Sequence, residues 1–423
     1  MKSELAFFSR LSIVSVVAGL CLGCGGSSNS GSGSPPVTPS GPAAGSEFLY
    51  GLSGAAFGSG EIYVSSVDPS TGNLGAPSPA SAEYTQVTPA NYDGVSLMTT
   101  PSAKFVYMPG SNSNGYGIFG FSLAGTEGEL TPLVSSDPYV PTQPFSNIQG
   151  VAIDGLGRYI YVSDRAGTTN TIRAFAIDPS TGELTDGPVL TASNSSTLQD
   201  GASDPAGKYL YWINQPNNAP NNASPYGLSV FSIDSGTGAL TEIAGSPYPI
   251  TLAGYTVNPF DITVSASGEY VYLPTNIFST SNSNPGTTVI YAFLVSPTSG
   301  ALTPIPSSPT SIGQASTSQI SLAPNGNFLY TAENFGSPLT DGIGVFAINS
   351  SSGLVSGTAS SFTLDNALGP IQVDPSGSVL VSLGDNVISS YAINASTGSL
   401  TPAQGIQGLP ALGYFSILVV KIP

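Results

Sequence analysis

Histidine is missing from this chain altogether. That removes the side chain most often used for proton transfer near neutral pH, so any acid–base chemistry falls to carboxylates. Cysteine occurs only twice, at Cys21 and Cys24, so nothing beyond residue 24 forms a disulfide or offers a thiol. Positive charge is scarce: eight Lys and Arg stand against 25 Asp and Glu, a net charge of −17. So few cations cannot neutralise a run of phosphates, which disfavours nucleic-acid binding. An anionic membrane surface would repel such a chain. No long stretch has helical periodicity.

One long apolar run is present. Lys2 and Arg10 precede LSIVSVVAGLCLG, which is short for a membrane span and ends in small residues. Residues 1–24 therefore read as a secretory signal. Cys24, after Leu22 and Gly23, stands as the lipidated residue of a bacterial lipobox would, although Cys21 takes the place usual for Leu. An ordinary signal peptide cut nearby is the alternative. Residues 25–46, GGSSNSGSGSPPVTPSGPAAGS, have no sizeable apolar side chain to bury and form a flexible-to-extended tether. This places the remaining domain, 47–423, in the cell envelope, meeting the membrane only through a lipid anchor.

What the domain does contain is 51 Gly, 36 Pro and 20 Tyr, and two repeated phrases. The first is FAIDPSTGELT (175–185). It returns at 231–241, 293–303, 346–355 and 391–401, and more weakly at 67–74 and 121–131. Alternating aromatic and aliphatic residues read as a strand; Asp-Pro-Ser-Thr-Gly reverses the chain; a short strand follows. The second is IDGLGRYIYV (153–162), returning at 203–212, 264–273, 322–331, 373–382 and, degraded, at 99–108. It is again strand, tight turn, strand. One unit thus has four strands, a to d, and seven copies predict a seven-bladed β-propeller of antiparallel four-stranded blades. EFLYGL (47–52) matches strand b with no strand a before it, and YFSILVV (414–420) is a strand with no successor. The C-terminal strand is therefore expected to complete the first blade, removing an open seam.

Antiparallel order puts the short a–b and c–d turns on one face. The variable b–c connections, 109–117, 163–171, 213–228, 274–288 and 332–342, fall on the other. Binding residues usually sit on such loops. Aligning the strands a places Asp200 and Asp261 at one position in neighbouring blades, shared by Gln319 and Ser96, with Gln149 one residue off. Two carboxylates there would share a proton or hold a hard cation such as Ca²⁺, or they are solvated turn residues. No cofactor and no dedicated metal site is expected. Lys104, Arg158 and Lys208 recur before strand b and read as edge charges. That leaves Arg165, on the long-loop face, and Arg173, at the start of the next strand, for an anionic group. The recurring Tyr161, Tyr211, Tyr272 and Tyr330 read as packing between sheets. Trp212, beside 213–228, is a candidate for stacking on carbohydrate. Asn214, Asn276, Asn334 and Asn386 follow strand b as loop caps or polar ligand contacts.

The alternation of DPxGxYLYV with FxIDPSTGxLT resembles the lactonase-type seven-bladed β-propeller family, over roughly 47–420. That family includes bacterial 6-phosphogluconolactonases and fungal muconate-lactonising enzymes. The resemblance implies lactone hydrolysis, and it is specific for fold more than for activity. Catalytic members carry a Pro-Arg-His segment where this chain reads FSNIQGVAID (145–154), STLQDGASDP (196–205) and NPFDITVS (258–265). They also carry an Asn-Glu pair after a strand b; the nearest match is Glu333-Asn334, reversed. Asp200, Asp261 and Glu333 are thus the candidate catalytic carboxylates, with Arg165, Arg173, Asn334, Gln319 and Gln149 as candidate substrate contacts. The expected function is hydrolysis of an uncharged or weakly charged lactone by a monomer outside the cytoplasm. The alternative is a non-catalytic propeller offering its long-loop face to a protein, glycan or cation.

Overall fold

The first phrase closes a hairpin through its own side chains. The Asp178 carboxylate accepts the amides of Ser180 and Thr181 at 2.8 and 2.9 Å. The Gly182 amide returns to the Asp178 carbonyl at 2.8 Å, with φ of +76° at the glycine. Asn349 and Asn394 accept the same two amides through their side-chain oxygens, which is why Asp and Asn interchange here. The turn amides hold the Asp178 carboxyl below its ordinary range. In the first blade, the Ser70 and Thr71 hydroxyls and the Ser70 amide bring Asp68 down to about 2.

The structure, a computed structural model, describes residues 45–54, 60–80, 88–89, 97–112, 115–123, 126–133, 139, 141–167, 169–192, 197–215, 226–279, 287–312, 316–334, 341–356, 360–364, 369–384, 387–406 and 414–423. The signal segment, Cys24, Ser96, Asn386, nearly all of the tether and the side chain of Asn334 lie outside them. The described residues form seven antiparallel sheets and no helix. Blade 3 shows the pattern: strands a (Ile148–Ile153), b (Tyr159–Ala166), c (Thr169–Ile177) and d (Leu184–Thr191). Blade 1 has sequence-first strands b (Glu47–Gly54) and c (Gly60–Val67), and its strand a is the C-terminal Tyr414–Lys421. Glu47 pairs with Lys421 and Leu49 with Val419, so the ring closes as expected. The Gly45 amide donates to the Ile422 carbonyl at 2.8 Å and extends that joint.

Seven apolar clusters fill the structure, one in each joint between neighbouring blades. The strand b tyrosines organise them. Tyr50 donates its hydroxyl to the Gly128 carbonyl of blade 2 at 2.7 Å, Tyr107 to Gly182 of blade 3 at 2.7 Å, and Tyr161 to Gly238 of blade 4 at 3.1 Å. Tyr272 and Tyr330 do the same to Gly353 and Gly398. The aromatic residue two places earlier, Tyr159 for example, lies where a Cβ on that glycine would stand. The two phrases are therefore two halves of one contact between blades. Burying each ring contributes about 2–3 kcal/mol and each hydroxyl bond about 1 kcal/mol, so packing dominates and the bond sets the register.

Two expectations are corrected. The b–c connection of blade 3 is strand almost to its tip: Ala166 still pairs with Thr169, because alternating side chains carry the ladder that far. Arg158 is more than an edge charge. It pairs with Asp154 at 2.8 Å and donates to the Gly207 carbonyl of blade 4 at 2.8 Å.

Gly238→Ala, strained at φ +74° and forced onto Tyr159, should cost about 2–5 kcal/mol in denaturant unfolding. Gly236→Ala, in the same turn but meeting only the Asp234 carboxylate at an ordinary contact distance of 3.6 Å, should cost under about 1 kcal/mol. Deleting 414–423 should open blade 1 and abolish the cooperative transition.

Candidate active site in the channel wall

The innermost strands line the channel, and their side chains form a belt from blade to blade. Asp261 accepts the Ile320 amide of blade 6 at 3.0 Å, Gln319 the Ile371 amide of blade 7 at 2.8 Å, and Gln372 the Val419 amide of blade 1 at 2.9 Å. Ser416 continues it by accepting the Leu97 amide of blade 2 at 3.1 Å. Gln319 thus does share the position read for the aspartates. Gln372 and Ser416 were not singled out in the sequence; Gln372 sits two residues further along its strand, on the same face.

Blades 4 and 5 place two carboxyls in this belt. Asp200 lies at a bulge in strand a of blade 4 (Thr197–Ser203). Asp261 lies in the break between Tyr255–Pro259 and Thr263–Val264 of blade 5. Irregular backbone at both points frees the amide that follows, and each carboxyl caps its own: Gly201 at 2.9 Å, Ile262 at 2.7 Å. Asp261 completes the hydrogen bond to the Ile262 amide, and Asp200, in the preceding blade, lies close enough to feel the Asp261 charge. Both residues are partly exposed along the channel, yet surrounding protein strips most water from the carboxyl groups. Desolvation pushes Asp261 up to about 6, and desolvation plus the Asp261 charge holds Asp200 well above the carboxylate range. Such a pair retains one proton where isolated carboxylates are fully ionised.

The other candidates lie elsewhere. Glu333, 2% exposed, sits in the joint between blades 5 and 6 and accepts the Thr331 hydroxyl at 2.6 Å. Its carboxyl turns over Gly344 of strand c, away from strand a and Gln319. Burial pushes it up to about 7. Arg173 does not open its strand on the long-loop face: it is the fifth residue of Thr169–Ile177 and 6% exposed. Its guanidinium lies 4.6 Å from the Phe145 ring centre and 5.6 Å from that of Phe175, pinning the 141–147 segment. Asp164 helps by accepting the Ser146 and Asn147 amides. Arg165 stays near the long-loop end of strand b, its Nε donating to the Gly167 carbonyl at 3.3 Å. Gln149 is half-buried in the channel wall, and Asn334 ends strand b of blade 6 (Phe328–Asn334). Trp212 is wholly buried, which removes it as a carbohydrate platform. Asn214 and Asn276 bond across strands, to Ser229 and Thr288, rather than capping loops. Among the described residues no group of three or more acidic or cysteine side chains is placed to hold a metal ion.

Raised carboxyls make the fold pH-sensitive. Each of the pair binds its proton more tightly folded than unfolded, so its stabilisation is complete below about pH 4; for Asp261 it is lost as pH rises through about 6, and for Asp200 it is lost only well above the range where an ordinary aspartate ionises. Asp200→Asn should therefore raise unfolding free energy by about 1 kcal/mol or more at pH 8 and by nearly nothing at pH 4, read from denaturant curves at both.

Residues 287–411 match the family model described as lactonase, 7-bladed beta-propeller. None of the curated proteins matches the sequence. Among solved structures, a putative 6-phosphogluconolactonase from Bacteroides fragilis is 20% identical with a TM-score of 0.64, covering 91% of this chain and 100% of its own. The periplasmic gluconolactonase PpgL of Pseudomonas aeruginosa is 14% identical with a TM-score of 0.62, covering 89% and 100%. A Lactobacillus plantarum protein is 16% identical, with a TM-score of 0.59 and the same coverage. These likenesses carry the seven-bladed propeller fold end to end, and residues 287–411 are similar to the lactonase family over that stretch.

Proposed function

We propose that this propeller hydrolyses a neutral lactone outside the cytoplasm, using Asp200 and Asp261 as a proton-sharing pair. The adjacency of these two desolvated carboxyls, each capping the amide after it in neighbouring blades, carries the reading. The ionised member takes a proton from water, whose oxygen attacks the lactone carbonyl. The protonated member donates to the ring oxygen as its bond to the acyl carbon breaks, releasing a hydroxy acid. Gln149 and Gln319, from the same channel wall, supply amide donors to the substrate, and Arg165 and Asn334 flank the approach from the long-loop face. Arg173 and Glu333, sealed in joints between blades, have no part in it. A net charge of −17 favours an uncharged substrate over an acidic or phosphorylated one.

The location rests on the lipobox at Cys24 and the tether 25–46, and the periplasmic gluconolactonase that shares the fold supports it. No cofactor enters the chemistry, and a Ca²⁺ ion held by the pair would block rather than assist proton sharing.

The purified protein should turn over neutral lactones in a pH-stat assay, with activity falling as pH drops through about 6. Asp200→Asn and Asp261→Asn should each lose about 100-fold or more with the fold intact. Absence of turnover on every lactone by folded protein would overturn the reading in favour of a propeller that binds a protein, glycan or cation.

A further inference from the structure

The joint between blades 7 and 1 departs from the others. Blade 7 has Val381 where the earlier blades have the linking tyrosine, so no hydroxyl reaches Gly72 of blade 1. Gly72 instead faces Ala392 and Ala403. The same joint holds a charge of unexpected sign. Blades 2, 3 and 4 carry Lys104, Arg158 and Lys208 three residues before their tyrosine and blade 5 carries Glu269, which is exposed; blade 1 carries Glu47 there, three residues before Tyr50, and buries it. Glu47 is 2% exposed, and neither carboxyl oxygen completes a hydrogen bond of good geometry.

Three elements face it. Strand a brings Lys421, with Nζ 3.4 Å from Oε1 and its own side chain 40% exposed. Strand c brings apolar Val67. The a–b turn of blade 7 brings Asp374, fully buried and already accepting the amides of Ser376, Ser378 and Val379 at 3.0, 2.8 and 2.6 Å. Three amides of its own turn are thus directed at the Asp374 carboxyl, and a second carboxylate buried beside it is strongly disfavoured. In blade 3 the equivalent Asp154 has Arg158 as its counter-ion; Asp374 has Ser378 at that place.

We propose that this joint is a proton-controlled latch, in which Glu47 seats as a neutral carboxyl against Asp374 and its ionisation loosens the C-terminal strand. Burial first, then the adjacent Asp374, pushes Glu47 up to about 7, against the opposing pull of Lys421. A raised carboxyl contributes its full stabilisation below the unfolded value near 4.5 and loses it as pH rises through 7. The joint is therefore tightest in mild acid and weakest in mild alkali. It is also where the two ends of the propeller meet, directly after the tether.

Hydrogen–deuterium exchange from pH 5.5 to 8.5, corrected for intrinsic rates, tests this on the whole protein. Opening of 414–421 and 47–54 should rise on the order of tenfold relative to strand c of blade 3. Glu47→Gln should flatten that dependence, and Lys421→Met should move its midpoint to higher pH. A wild-type joint whose protection tracks blade 3 across the range, or an unchanged dependence in Glu47→Gln, would overturn the latch. If Glu47→Gln does not fold, the carbon-13 carboxyl titration of the wild type decides: a Glu47 midpoint near 7 supports the latch, and one near 4.5 refutes it.

Discussion

A tyrosine hydroxyl reaching a glycine carbonyl in the next blade is the contact on which this ring is built. It ties strand b of one blade to the c–d turn of its neighbour, so five of the seven turns are bonded to a partner blade as well as to their own. The glycine answers two demands at once. Its φ lies near +75°, and the aromatic ring before the tyrosine occupies the space a Cβ would need. Neither demand is met by another residue, and the spacing of the two phrases along the chain follows from that geometry.

Near the channel the same logic is carried out with polar side chains. Strands a are short and irregular, so their free amides are taken by side-chain oxygens from the preceding blade. Glutamine and serine fill that role without consequence for charge. Aspartate stands at that strand position in two neighbouring blades, and there the belt acquires chemistry: two carboxyls side by side with little water. The candidate site is thus a variation within a structural repeat, with no separate element added for it.

The fold was legible because each repeat is written twice over, in strand alternation and in turn residues, and closure followed from counting strands at the two ends. The pairing of Asp200 with Asp261 was legible as well, since one strand position in adjacent blades must bring side chains together around a channel. What alternation does not tell is which neighbour a side chain faces. Glu333 and Arg173 have the right residue type and lie near the right strand ends, yet both face sideways into joints rather than inward. Trp212 was misplaced for the same reason. Glu47 gave no signal at all, because its significance lies in Asp374, more than three hundred residues away in sequence.

The tyrosine links also have gaps. The Tyr211 hydroxyl, between blades 4 and 5, is buried without a partner, and blade 7 has no tyrosine to offer blade 1. These two joints are also the ones that hold carboxyl pairs, Asp200 with Asp261 and Glu47 with Asp374. By tyrosine links alone, the circle is divided into an arc of four blades and an arc of three, while apolar packing runs on across both breaks. At those two seams the fit of side chains, without a directed bond, sets how one arc meets the other, and one of the seams is the candidate site itself.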